Sequence, residues 1–233
     1  MKMFPVLLTT VLVASNVAFF HLFQFEKEKT FSLQQQVQTS EENNARILKE
    51  QKEKTQFIEF VSTAIALAAP KSSESKNAYL GSQIVRVGLD SFSDKEERET
   101  WVAILANESR FNPKAKSPVG AIGIGQIMPK SAKWYAEKCN LPTDFTDEDL
   151  YLVEINLTIS ACAFKEMLKN VNNSKILALI SYNAGQFSKD LKRVEQMANI
   201  NQETANYVTK ITRFLEKVRD NPAIKLDPKT SDK

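Results

Sequence analysis

The chain changes character several times along its length. Residues 3 to 25 carry no formal charge and are dominated by Leu, Val, Phe, Ala and Met. A run of that length predicts a helix able to span a bilayer. Residues 26 to 55 are polar, rich in Gln, Glu and Lys, and contain neither glycine nor proline. Helix formers run throughout, and the sparse apolar positions (Phe31, Leu33, Val37, Ala45, Ile47, Leu48) hold no sustained heptad. This predicts a solvated helical stalk, with only weak support for a coiled coil. Residues 56 to 69 (QFIEFVSTAIALAA) are apolar again, but Glu59 interrupts a stretch already too short for a second span. Packing on the following domain is the expectation for it, and lying along a membrane surface the alternative. Residues 70 to 76 (PKSSESK) read as a linker.

The globular part begins near Asn77. Apolar spacing predicts helices from Ala78 to Leu89 and from Asp94 to Asn107, the second with Ser93 or Asp94 as N-cap. Pro129 opens another, and Asn140 to Thr146 reads as a loop. Further helices are expected over 147–170, 173–184, 188–198 and 202–219, with a polar, loose tail beyond Asp220. No strand pattern of comparable strength and no internal repeat occurs, so the fold class is mainly α. The chain then divides into a transmembrane segment (1–25), a helical stalk and linker (26–76), a globular domain (77–220) and a tail (221–233).

Flanking charge gives the first segment an orientation. Lys2 and the free amino terminus lie before it and the balanced run Glu26 to Lys29 after it. The positive-inside rule puts the amino terminus in the cytoplasm and everything after Phe25 outside. A signal peptide cleaved around Val13-Ala14-Ser15 is the competing reading. It would leave Asn16 to Phe25 exposed at a new terminus, so the uncleaved anchor is preferred.

Composition narrows the chemistry. At 233 residues, the chain holds one core-bearing domain plus appendages. A net charge of +3, with Lys and Arg dispersed among Asp and Glu, leaves no nucleic-acid footprint. The one histidine, His21, lies in the N-terminal apolar run. Neither a His-based nucleophilic triad nor a His-rich metal site is available, and no cofactor is called for. Cys139 and Cys162 lack C-x-x-C spacing. They read as two buried thiols, or as a disulfide if the domain is exported.

Chemistry concentrates between Trp101 and Pro129. A helix-compatible apolar run ends there in a Gly/Pro-rich segment, which puts Glu108 near a helix end beside a loop. A carboxylate among so many apolar residues is open to desolvation, which raises its pKa and suits it to general acid work. An isolated Glu would more often be an ordinary last-turn residue. The accompanying pattern is what singles it out: E-S-x-F-N-P from Glu108, then Ser117, then Gly120, Ala121, Gly123, Gln126, Met128 and Pro129 as G-A-x-G-x-x-Q-x-M-P. S-Y-N-A-G follows at Ser181 to Gly185, and E-T-x-x-Y-V at Glu203, Thr204, Tyr207 and Val208.

Four motifs in this order resemble the signatures of the soluble-lytic-transglycosylase family of peptidoglycan-cleaving enzymes, over about residues 78 to 219. The resemblance implies a goose-type-lysozyme-like helical domain, here preceded by the anchor and stalk. It implies that Glu108 first protonates the β-1,4 glycosidic oxygen between N-acetylmuramic acid and N-acetylglucosamine. As carboxylate it then deprotonates the muramoyl 6-hydroxyl, giving a 1,6-anhydromuramoyl end without water. Ser117, Gln126, Met128, Tyr182, Asn183 and Tyr207 match positions that line the cleft, Tyr207 reaching towards the carboxylate. Loop capping for Ser117 and Gln126 and core roles for Tyr182 and Tyr207 are the structural alternatives. Gly120, Gly123 and Gly125 would admit either tight turns or close sugar approach.

The pattern is departed from in three places. Gly125 stands where many relatives carry a bulky residue, Ser181 where Ala is common, and N-L-T-I-S-A-C-A at Asn156 to Ala163 puts Ser160 and Ala163 where a Gly and a Tyr are expected. The partners implied are peptidoglycan strands, the cytoplasmic membrane through residues 3–25, and a secretion or conjugation machine of the envelope, with the domain on the periplasmic or outer face. Two other classes stay open: a muramidase-type hydrolase drawing a second carboxylate from Asp144, Asp147, Glu148 or Asp149, and a non-catalytic glycan-binding scaffold.

Overall fold

A computed structural model describes residues 4–185 and 201–222, with side chains from residue 19 onward. The helix expected over 188–198 and most of the tail lie outside these residues. Helix α1 runs Phe4–Ala68. Then come α2 (Glu74–Ser91), α3 (Lys95–Ser109), α4 (Pro129–Lys138), α5 (Val153–Asn170), α6 (Lys175–Ala184) and α7 (Gln202–Arg219). A short 3-10 turn, Glu148–Tyr151, precedes α5. Among the described residues there is no strand, and no helix is long and apolar enough to cross a membrane.

Two compact units divide at Glu53 and Lys54. In the first, α1 carries polar and charged side chains that are exposed almost throughout, and Phe19, Phe20, Leu22, Phe23, Phe25 and Phe31 are exposed as well. In the second, the last turns of α1 enter the core through Phe57, Phe60, Val61, Ala64 and Ile65. The apolar run 56–69 thus packs on the domain. Gly88 of α2 makes room for it, since a Cβ there would lie 2.7 Å from the Phe57 ring. The buried Arg98 guanidinium sits 5.6 Å from the centre of that ring and donates to the Phe92 carbonyl at 2.8 Å.

Helix α5 is the centre of this unit, packed against α2, α4 and α6, while α7 crosses α3 and α6. Its sequence explains this: Leu157, Ile159, Ala161, Ala163, Phe164, Met167 and Leu168 leave it apolar nearly all round. Asp94 caps α3, accepting from the Glu97 amide at 2.9 Å. The single helix expected over 147–170 is broken at Leu152, which is extended. Upstream of that break, Asp149 accepts from both the amide and the hydroxyl of Thr146 at 2.7 Å, and the Leu150 carbonyl is taken by Asn156. Such local side-chain bonds compete with helix. Cys139 and Cys162 form a disulfide that ties α4 to α5.

Candidate active site

Glu108 lies in the last turn of α3. The helix stops two residues later because Arg110 and Phe111 both adopt left-handed backbone, with φ of 55° and 59°. Ser109 makes the stop useful: its hydroxyl donates to the Ile124 carbonyl at 2.8 Å and accepts from the Asn112 amide at 3.1 Å. The glycine-rich loop is thereby pinned to the end of α3, beside Glu108.

That loop is built on a small ladder in which Ile122 and Ile127 exchange backbone bonds of 3.0 and 2.9 Å. Its anchor is Asn156, buried at the start of α5. Asn156 accepts from the Gly125 amide at 2.7 Å and donates to the Ile122 and Leu150 carbonyls at 2.8 and 2.7 Å. Gly123, at φ +78°, leaves no room for a side chain, since its Cβ would meet the Asn156 amide at 2.2 Å. Gly125 is equally confined, by Ser160 and the Tyr182 hydroxyl. These two glycines therefore serve internal packing.

Tyr207, on the buried face of α7, donates from its hydroxyl to Glu108 Oε1 at 2.7 Å. Tyr182, from α6, donates to the Gly125 carbonyl at 2.8 Å. Burial pushes the Glu108 carboxyl up to about 7, against the Tyr207 hydrogen bond, which acts to lower it. Burial, and then the Glu108 charge, push both phenols well above their ordinary value. The site therefore holds two neutral phenols around one carboxyl group that keeps its proton well above the ordinary carboxylate range.

The structure brings Glu108, Tyr182 and Tyr207 together and places Asn183 with Tyr207 on one depression. The remaining expected positions lie along the loop. Gln126 folds back, its side-chain amide donating to the Gly123 carbonyl at 2.9 Å. Ser117 closes its own turn, accepting from the Ala121 amide at 2.9 Å. Met128, 37% exposed, caps α4. The acidic run is engaged in its own loop: Asp144, Asp147 and Glu148 are exposed, and the bonds from Thr146 hold Asp149 below the ordinary carboxylate range. Among the described residues, no His, Cys, Asp and Glu cluster is suited to a metal ion.

Sequence reasoning passed over Asn156, Ser109 as a tie, and Asn107 and Lys210 of the depression. The available signal for Asn156 was its place at the head of N-L-T-I-S-A-C-A, in register with the apolar face of that helix.

This architecture, a helical domain with a carboxyl at the end of α3 and a loop pinned beside it, is the lysozyme-like fold of the transglycosylase SLT domain. Residues 93–205 match the model of that family, the transglycosylase SLT domain. It is 35% identical to the soluble lytic murein transglycosylase of Escherichia coli K12 over 94 residues, 40% of this chain and 15% of that protein. It is 37% identical to the Salmonella typhimurium protein of the same name over 84 residues, 36% of this chain and 13% of that one. The chain thus spans only a small part of these relatives' length. Among solved structures, the 70 kDa soluble lytic transglycosylase of E. coli superposes with a TM-score of 0.52 at 25% identity, over 59% of this chain and 24% of that one. An inactive mutant of lytic transglycosylase Slt from Pseudomonas aeruginosa gives the same score at 23% identity, over 59% of this chain and 23% of that chain, a likeness of fold.

Proposed function

We propose that the chain is a peptidoglycan lytic transglycosylase that cleaves the β-1,4 bond between N-acetylmuramic acid and N-acetylglucosamine and leaves 1,6-anhydromuramoyl ends. The observation that carries this reading is the placement of Glu108, at the end of α3 beside the pinned loop with its Oε1 accepting from the Tyr207 hydroxyl at 2.7 Å. Its carboxyl is pushed to about 7 by burial, with the Tyr207 hydrogen bond as the opposing influence. A group at its midpoint near neutrality can give a proton and take one back.

Tyr207 holds Oε1, which leaves Oε2 to carry the proton. In the first step that proton passes to the glycosidic oxygen as the bond to C1 breaks. In the second, the carboxylate takes the proton of the muramoyl 6-hydroxyl, whose oxygen closes on C1. Atoms balance without water. Tyr182 and Asn183 are assigned to the sugar beside Glu108, and Ser117, Gln126 and Met128 to the cleft wall along the loop. Mass analysis of products from sacculi digested by the detergent-purified chain tests the reading. Anhydro-ended muropeptides are expected from the wild type and none from Glu108→Gln; reducing ends would replace it with hydrolysis.

The same reading holds the enzyme at the cytoplasmic membrane through residues 3–25, with the domain on the periplasmic or outer face. Support comes from the uncharged run and from Phe19, Phe20, Leu22, Phe23 and Phe25, exposed on α1. Release of the intact chain by alkaline carbonate would remove the anchor. A dedicated role in opening the wall for a secretion or conjugation machine extends the reading further, and absence of any such machine from crosslinked purifications would sink it.

A further inference from the structure

Helix α7 has two working faces. Thr204, Tyr207, Ile211 and Val218 are buried. Beside that stripe, Glu203, Asn206, Tyr207 and Lys210 recur at i, i+3, i+4 and i+7, and line a depression of about 370 Å³. The opposite wall comes from Asn107, which precedes Glu108, and Asn183, which follows Tyr182. Tyr207 joins the depression to the acid/base group, its hydroxyl 2.7 Å from Glu108 Oε1.

Two polar side chains of this surface are engaged, Asn206 by Gln202 at 3.0 Å and Tyr207 by Glu108; what sets it apart is the three that are not. Around Glu108, the side chains of Ser109, Gln126, Asn156 and Tyr182 are engaged with backbone of the glycine-rich loop. The Asn107 and Asn183 amides and the Lys210 ammonium, by contrast, make no hydrogen bond or ion pair among the described residues. Two amides would suit any neutral sugar. An ammonium beside them adds affinity for an anion.

We propose that this depression receives a carboxylate carried on the lactyl arm of the muramoyl residue, held by the Lys210 ammonium with the Asn107 and Asn183 amides donating beside it. The inference rests on peptidoglycan being the substrate. The lactyl ether of that sugar ends in a carboxyl group, either free or extended by a peptide with carboxylates of its own. Glu203, the carboxylate in the depression, lies seven residues from Lys210, about 10 Å along the helix. The Lys210 end is therefore the one that suits an anion.

The test compares three substrates on the full chain in detergent: glycan strands with their carboxylates intact, the same strands amidated with carbodiimide and ammonia, and strands stripped of peptide by an amidase. The quantity read is the ratio of kcat/KM for native over amidated strands. The wild type is expected to favour native strands about five- to tenfold, the scale of one charge-assisted contact. Lys210→Met is expected to bring the ratio close to one through KM, and Lys210→Arg to retain it. Stripped strands that behave as native assign the lactyl carboxylate; stripped strands that behave as amidated assign the peptide. An equal ratio in wild type and Lys210→Met overturns the subsite. If no strand is cleaved, the transglycosylase reading falls by itself. Calorimetric binding of native and amidated strands to Glu108→Gln, with and without Lys210→Met, then decides the subsite separately.

Discussion

Ser160 fills the space that a side chain on Gly125 would need. A Cβ at Gly125 would lie 2.5 Å from the Ser160 Cβ and 3.2 Å from the Tyr182 hydroxyl. Two departures from the family pattern, a glycine for a bulky residue at 125 and a serine for a glycine at 160, are thus the two sides of one contact. Gly125→Ala is expected to destabilise by about 1–3 kcal/mol through overpacking. Ser160→Gly loses the bond from the Trp101 indole and puts glycine in a helix, at about 1 kcal/mol each. The double variant is expected to be more stable than the sum by about 1 kcal/mol. Urea midpoints of the four proteins measure the coupling, and strict additivity would dissolve it.

The raised Glu108 carboxyl makes both activity and stability depend on pH. Cleavage begins with proton donation, so kcat/KM is expected to fall as pH rises through about 7, where the group ionises. For stability the sign follows from proton binding. The folded chain holds this proton up to about 7, the unfolded chain only to its ordinary value of 4.5. The stabilisation is complete below the unfolded value and is lost as pH rises through the folded one. Glu108→Gln carries no such titration. Its melting temperature relative to wild type is expected to climb between pH 5 and 8, and a flat difference would mean that Glu108 is not desolvated.

Removing the Tyr207 hydroxyl separates burial from hydrogen bonding at the same carboxyl. The bond from Tyr207 lowers the Glu108 pKa against the larger effect of burial. Tyr207→Phe keeps the ring in the core and deletes the donor. The alkaline limb of the kcat/KM profile is expected to move to higher pH while the maximal rate falls. A downward shift would mean that water replaces the phenol and solvates the carboxylate.

How much of this was legible in the sequence depended on whether the signal was periodic. The apolar spacing of α3 and its Asp94 cap placed Glu108 at a helix end, and the four motifs gathered Tyr182 and Tyr207 towards it. The apolar run 56–69 was expected to pack on the domain and does, but hydropathy could not name the partners of Phe57, because Gly88 and Arg98 lie on helices still to come in the chain. The glycines at 123 and 125 read equally as tight turns or as room for sugar; only the fold shows Asn156 and Ser160 filling that room. The polar face of α7 was invisible for a related reason: Lys210 and Asn107 gain meaning only once two helix ends meet.

The Cys139–Cys162 disulfide closes a loop of sequence separation 23. In the chain-entropy model, a loop of that length stabilises by about 3 kcal/mol by restricting the unfolded chain. The double variant Cys139→Ser, Cys162→Ser is expected to lose roughly that amount in denaturant unfolding, and the wild type to match it once reduced. The bond links α4 to the central α5, away from the Tyr207 contact. The active-site pH profile should therefore be retained while stability drops. Equal stability with and without reductant would mean that the bridge does not form in solution.

Helices α3 and α7 run antiparallel and are tied at both ends. At one end Tyr207 meets Glu108; at the other Arg219 donates to Glu99 through two nitrogens at 2.6 and 2.7 Å. The Glu99 side chain is only 5% exposed, and its other cation, Lys95, is 3.9 Å away. Arg219→Met would strand that carboxylate in the core, at a cost of about 2–4 kcal/mol, towards the lower end because Arg219 itself is partly exposed. Glu99→Gln in the Arg219→Met background removes the stranded charge and is expected to recover most of the loss. The kinetic consequence should be separate from the thermodynamic one. If the pair sets the register of α7, Arg219→Met shifts the alkaline limb in the same direction as Tyr207→Phe, whereas a pair that only stabilises leaves the limb in place while the melting temperature falls.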